Sequence, residues 1–144
     1  MYSSKKDLTI SNEPDFCVKG ILNQVSDPLF VKDEDHRFIL VNDACCTLFG
    51  LSAEEILNKT DYDLFPKEDA DIYRKMDKLV FETNENNVNE ESFTDHQGNK
   101  KVVSTKKSLF VTSSGSKALV VIIRDITELK ATEKKLLTLS LIHI

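Results

Sequence analysis

The stretch VVIIRDITELKATEKKLL, from Val120 to Leu137, narrows what this chain can fold into more than any other. Val120-Val121-Ile122-Ile123 is β-branched and apolar throughout, the composition of a buried strand. From Glu128 onward the chain is rich in Glu, Lys, Leu and Ala, the composition of a helix. No Gly or Pro lies between the two, so nothing marks a turn that folds the helix back. Leu119, Val121 and Ile123 share one face of the strand, and Ala118, Val120 and Ile122 share the other. Both faces are apolar, so both require cover. A helix layer covers one. The N-terminal helix around Ile21, Leu22 and Val25, together with a second copy of the chain, is expected to cover the other. Asp125 is placed to cap the outgoing helix, with Glu128 following it and Thr127 supporting the turn. Ile126, Leu129, Leu136 and Leu137 then fall near a coiled-coil seam.

The length of 144 residues fits one domain. A net charge of −5 offers no basic face for phosphates, so no nucleic-acid contact is expected. The longest solid apolar run, Ala118 to Ile123, is far short of a membrane span, and MYSSKKDLTI has no apolar segment of the kind a signal peptide needs. The cysteines are Cys17, Cys45 and Cys46. An odd count without framework spacing suggests a reducing compartment, and the three read as small apolar filling. No histidine stands at ligand spacing beside them, so no metal site is expected.

Asn12-Glu13-Pro14-Asp15 reads as a helix start, and the helix ends near Pro28. Leu29–Lys32 and Arg37–Val41 read as two strands joined by a turn at Asp33–His36. Asn42 caps a helix that Gly50 closes, and Ser52 with Glu55 forms a capping box for the next. A longer helix runs from Pro66 to Asn84. Tyr73, Met76 and Val80 form its apolar stripe, and Arg74, Lys75, Asp77 and Lys78 are expected to face away. Three strands follow in a meander: Val88–Thr94, Lys100–Val111 and Lys117–Arg124. Two strands, several helices and three strands make one antiparallel sheet with helices on one face, an α+β arrangement.

The segments Asp27-Pro28-Leu29-Phe30-Val31-Lys32-Asp33, Ile39-Leu40-Val41-Asn42 and Phe49-Gly50-Leu51-Ser52 together resemble the PAS domain family. So do Lys59-Thr60-Asp61-Tyr62-Asp63-Leu64-Phe65-Pro66, the turn Asp95-His96-Gln97-Gly98, and Arg124-Asp125-Ile126-Thr127 at the end of the last strand. Their order over about residues 22–127 is specific. The resemblance implies a PAS fold: a five-stranded antiparallel sheet of order 2-1-5-4-3 with helices over one face. It divides the chain into a tail and capping helix (1–26), the domain (27–127) and the start of a signalling helix (128–144). It also implies a cytoplasmic sensory module of the type found in sensor histidine kinases, working as a homodimer with an output domain beyond its C-terminus. The rival parent is a diguanylate cyclase, and the rival role is a dimerisation scaffold with a filled core.

No catalytic constellation is present. His36, His96 and His143 lie in two turns and at the chain end, and no Gly-rich phosphate loop appears. Haem is disfavoured because the long helix lacks the axial histidine that haem sensors of the family use. A LOV-type flavin is disfavoured because Lys59–Pro66 lacks the reactive cysteine of that subgroup. No cofactor is assigned, and a pocket for an unidentified small molecule remains. Its expected lining is Ile39, Phe49, Phe65, Tyr73, Met76, Val80 and Ile122, with Thr105 as a polar contact. Asp125, Ile126 and Thr127 are the expected relay. Ile21, Leu22, Val25, Val121, Ile123, Leu129 and Leu136 are the expected cap and dimer interface.

Overall fold

A computed structural model describes residues 18–142. The helix start at Asn12, together with Cys17 and His143, lies outside the described residues. In chain order the elements are α1 (Val18–Leu22), β1 (Leu29–Lys32), β2 (Phe38–Val41), α2 (Asp43–Phe49), α3 (Ala53–Ile56) and α4 (Asp61–Leu64). Then come α5 (Lys67–Thr83), β3 (Asn87–Thr94), β4 (Lys100–Val111), β5 (Lys117–Asp125) and α6 (Thr127–Ile142). The strands form one antiparallel sheet in the order β2-β1-β5-β4-β3.

The helix boundaries follow from local chemistry. Asn42 caps α2, and Gly50 ends it in a left-handed conformation at φ 71°. A side chain at Gly50 would also collide with the ring of His96, so this position requires glycine twice over. Ser52 and Glu55 form the capping box of α3. Pro66 precedes the first turn of α5, and Asn84, also left-handed, terminates it.

Strand parity places the core. β5 pairs Leu119 with Lys32 and Val121 with Phe30 on β1. On its other side it pairs Val121 with Lys107 and Ile123 with Thr105 on β4. All of these side chains share the face beneath the helices, where Phe30, Phe38, Phe49, Val80, Leu119 and Val121 belong to the main core. The opposite face buries Leu29, Val31 and Ala118 against Leu22, Ile39, Leu40, Val120 and Ile122. Among the described residues Leu22 of α1 is the one member of that second cluster from outside the sheet, and Val120 and Ile122 are half-buried there.

Asn42 connects the two layers. It is 1% exposed. Its Oδ1 accepts from the backbone N–H of Leu29 at 2.9 Å and of Cys45 at 3.0 Å. Its Nδ2 donates to the carbonyls of Leu22, Val25 and Asp27 at 3.2, 3.1 and 3.0 Å. One side chain therefore fixes the exit of α1, the start of β1 and the cap of α2. Asn42→Ala is predicted to lower unfolding free energy by about 2–4 kcal/mol, because it removes a cap and orphans buried backbone groups. Urea denaturation followed by circular dichroism checks this, and a loss below about 1 kcal/mol is inconsistent with the role.

Candidate functional site

Four charged side chains meet under the helices. Lys32 stands at the end of β1, where period-2 alternation puts it on the same face as Phe30. Asp61 opens α4, Asp77 lies on the inward face of α5, and Lys107 projects from β4. Their exposures are 1% for Lys32, 2% for Asp61, 1% for Asp77 and 4% for Lys107. Lys32 Nζ donates to Asp61 Oδ2 at 2.5 Å and to Asp77 Oδ2 at 2.6 Å. Lys107 Nζ donates to Asp77 Oδ1 at 2.7 Å. The Lys32 ammonium also lies 4.9 Å from the centroid of the Phe38 ring and 5.4 Å from that of Phe30. The cluster thus joins α4 and α5 to the two strands that flank β5.

The carboxylates differ in how many lysines serve them. Burial raises the proton affinity of Asp61, and the single ammonium of Lys32 only partly offsets this, so its pKa lies above the usual carboxylate value. Burial pushes Asp77 the same way. The two ammonium groups of Lys32 and Lys107 outweigh it there, and the pKa lies below the usual value.

The cluster forms one wall of a cavity of about 50 Å³. Rings of Phe30, Phe49, Phe65, Tyr73 and Phe93 make the apolar walls, and Val121 and Ile123 form part of the floor. Phe49 meets Phe65 edge-on at 5.1 Å, and Phe65 meets Tyr73 at 5.4 Å. Glu91 and Ser92 of the edge strand β3 stand at the rim with Thr105 of β4. Thr105 Oγ1 donates to Glu91 Oε1 at 3.2 Å. Burial, and then the carboxylates of Asp69, Glu91 and Asp61, push the Tyr73 hydroxyl up to about 12.

Of the residues expected around the pocket, the structure brings Phe49, Phe65, Tyr73 and Thr105 together at this cavity. Val80 is buried in the core beside it and does not line it, and Met76 is half-buried and does not line it either. Ile39 and Ile122 lie on the far face of the sheet. A bulge between Val31 and Lys32 shifts the β1–β2 register, so Phe38 and Val41 turn inward and Ile39 turns outward. For β5 the parity is the reverse of the expectation. Val121 and Ile123, assigned to the cap and dimer face, point into the cavity, and Ile122 points away from it. The register with Phe30 and Thr105 sets this.

Asp77, expected to face away, is the centre of the charge cluster. Its spacing from Ala70, Tyr73 and Val80 puts it on their face of α5, whereas Ile72 is 55% and Leu79 48% exposed. The signal was in the sequence: Lys32 alternates with Phe30, and Asp77 follows Tyr73 by four residues. Of the cysteines within the described residues, Cys45 is fully buried in the core and Cys46 half-buried, and burial pushes both thiols up.

The connector is nearly continuous. β5 ends at Asp125 and α6 begins at Thr127. Between them Ile126 is buried, its N–H donates to the Val102 carbonyl at 2.9 Å, and its carbonyl accepts from Lys130 N–H at 2.8 Å. Asp125 Oδ1 accepts from Thr127 N–H at 2.9 Å, and its other oxygen pairs with Lys101 at 3.3 Å. Val102 N–H donates to Thr127 Oγ1 at 2.9 Å. Lys130 reaches Glu90 on β3 at 3.1 Å. Beyond this first turn, residues 131–142 are all exposed. Leu129 is 61% and Leu136 62% exposed, Ile21 42% and Val25 37%, while Leu22 packs on the far face of the sheet.

The family model described as the PAS fold matches residues 22–131. The chain belongs to the PAS family. It is 38% identical over 121 residues to the uncharacterized protein y4lL of Sinorhizobium fredii (strain NBRC 101917 / NGR234). The match takes 82% of this chain but only 15% of that protein, so the chain spans a small part of its relative. The PAS domain of Bordetella pertussis BvgS superposes with a TM-score of 0.65 at 25% identity, over 85% of this chain and 93% of that one. The Vibrio cholerae VqmA dimer, a LuxR-type receptor, shares the fold at a TM-score of 0.69 and 22% identity, over 76% of this chain and 50% of that one. Among the described residues no helix is long and apolar enough to cross a membrane.

The unequal pairing predicts unequal mutants. Asp77→Asn strands Lys107 in the interior and is expected to cost about 3–5 kcal/mol, while Asp61→Asn leaves Lys32 paired with Asp77 and should cost less than half of that. The folded pKa of Asp61 is raised, so its contribution is full in acid and is lost as pH rises through the folded value. The stability gap between wild type and Asp61→Asn should therefore widen in favour of wild type as pH falls from neutral. For Asp77 the folded pKa is depressed, so its gap should shrink once pH falls through that value. Urea titrations at a series of pH values measure both.

Proposed function

We propose that this chain is a PAS sensory module whose cavity takes up a small molecule and whose β5–α6 connector carries the change to an output domain. The observation that supports this most directly is a buried cluster of four charges on a cavity wall, set over the strand that becomes the outgoing helix. Buried ion pairs give little net stability over apolar packing of the same volume, so core filling alone does not account for them. A molecule that competes for the ammonium groups alters the pairing of Lys32 or Lys107 and so bears on β5 from both sides. The chain through Ile126, whose carbonyl accepts from Lys130 N–H, passes the displacement to α6, and the Thr127 hydroxyl, which accepts from Val102 N–H, holds the junction against β4.

Two copies pair through the exposed leucines of α6 and the α1 surface around Ile21 and Val25 in this reading. The output domain follows α6 in the parent protein, with a histidine kinase first and a diguanylate cyclase second. VqmA, a receptor with target DNA, extends the choice to a DNA-binding output. The module is cytoplasmic, makes no nucleic-acid contact of its own and carries no catalytic group. The size of the cavity favours a second reading, a dimerisation scaffold with a filled core: about 50 Å³ is well below the range typical of drug-sized ligands.

Mass spectrometry of the purified chain after denaturation separates the readings. A released stoichiometric metabolite is expected, and bare protein from several growth conditions supports the scaffold. In the parent protein Asp125→Ala is predicted to uncouple stimulus from output while changing domain stability by no more than about 1 kcal/mol, since its carboxylate is half-exposed. Output that stays fully regulated in that variant contradicts the relay.

A further inference from the structure

The β3–β4 hairpin outruns the strand beside it. β4 pairs with β5 only as far as Val103, opposite Asp125. Beyond that point Val102, Lys101 and Lys100 pair with Ser92, Phe93 and Thr94 of the edge strand. Residues 92–102 therefore form a two-stranded tip. Its turn closes through Asp95 N–H to the Asn99 carbonyl and Gly98 N–H to the Asp95 carbonyl, each at 3.0 Å. A two-stranded ribbon is marginal by itself, so the contacts that brace this tip decide where it stays.

Among the described residues those contacts lie in two places. The first is the junction with α6. Ile126 N–H donates to the Val102 carbonyl at 2.9 Å, Val102 N–H donates to Thr127 Oγ1 at 2.9 Å, and Lys101 pairs with Asp125 at 3.3 Å. The second is the end of α2. The ring of Phe93, which lines the cavity together with Ser92, lies 6.4 Å from that of Phe49. In the turn, the exposed His96 sits so close to Gly50 that a Cβ there would overlap its ring. A left-handed backbone also occurs at Asn58 and Asn84, with φ of 69° and 59°. Of the two reasons for glycine at position 50, the His96 ring is the one that asparagine cannot meet. The chain thus keeps a bare seat for a histidine from the opposite side of the cavity.

We propose that residues 92–102 act as one rigid lever between the cavity and α6. The His96 ring on Gly50 is its catch, and the bonds of Val102 and Lys101 to the α6 junction are its foot. Releasing the catch draws Ser92 and Phe93 away from the cavity wall and loads the bonds from Val102 to Ile126 and Thr127. The lever reaches α6 from the edge of the sheet, by a route separate from β5. Its part in regulation rests on the sensory reading above, while the lever itself rests on packing and hydrogen bonds.

Amide hydrogen exchange followed by NMR on the 144-residue chain tests it. His96→Ala, at an exposed position that leaves the fold intact, should speed exchange at Val102 and Ile126 about tenfold or more. Asp95, whose bond lies within the tip, and the interior of α5 should exchange as in wild type. Gly50→Asn keeps a left-handed cap but fills the seat. It should speed the same two amides by a similar factor, and add nothing once His96→Ala is present. Unchanged exchange at Val102 and Ile126 in His96→Ala overturns the lever. Faster exchange at Asp95 also overturns it, because the turn then frays by itself. So does an effect of Gly50→Asn that persists in full without the His96 ring. The sensory reading fails separately. The expected exchange pattern in a chain that releases no metabolite upholds the lever and removes the sensor, and a released metabolite with unaltered exchange removes the lever and leaves the sensor.

Discussion

Two lysines and two aspartates in the interior of a small domain set the terms for the rest of this structure. Removing such charges from water costs several kcal/mol each, and only close pairing offsets it. Pairing is close here because the charges come from four different elements that must all be in place: Lys32 at the end of β1, Asp61 at the start of α4, Asp77 midway along α5 and Lys107 on β4. The order of dependence runs from the sheet outward. Register with β5 brings Lys32 and Lys107 to the same face, and the helices can then dock only with their carboxylates inward.

That arrangement gives the domain a rigid joint beside an incompletely filled space. Aromatic packing of Phe49, Phe65 and Tyr73 closes the space on the helix side. Directly beneath lies the strand that leaves the domain as α6. The contact of Asp125 with Thr127 joins that strand to the helix, and the bonds of Ile126 and Thr127 with Val102 and of Asp125 with Lys101 brace the junction against β4. Separately, the Asn42 side chain holds α1 to the core, so the helix before the domain and the helix after it are tied to the same sheet.

The element order and the helix caps were legible because each rests on local chemistry: Asn42 with Gly50, Ser52 with Glu55, Pro66 with Asn84. The sheet order came from the family resemblance alone. Which face of each strand looks inward was not legible. Strand β5 is apolar on both sides, so composition cannot tell Val121 from Ile122, and one partner register decides it. Ile39 was misplaced for a related reason. The bulge beside Lys32 is set by the turn and the pairing with β1, and no residue type announces it. Lys32 and Asp77 were overlooked because a charge in a sequence reads as solvent-facing. Their spacing from Phe30 and from Tyr73 carried the contrary signal, but each looks costly until its partner on a distant element is known.

The central claim is that the charge cluster and the outgoing helix form one mechanical unit. Amide hydrogen exchange on Asp77→Asn, under conditions where circular dichroism shows it folded, tests this most directly. Breaking the cluster should speed exchange not only in α4 and α5 but also along Val120–Ile123 of β5 and at Lys130 in the first turn of α6. Faster exchange confined to the two helices, with β5 and α6 protected as in wild type, would contradict the account.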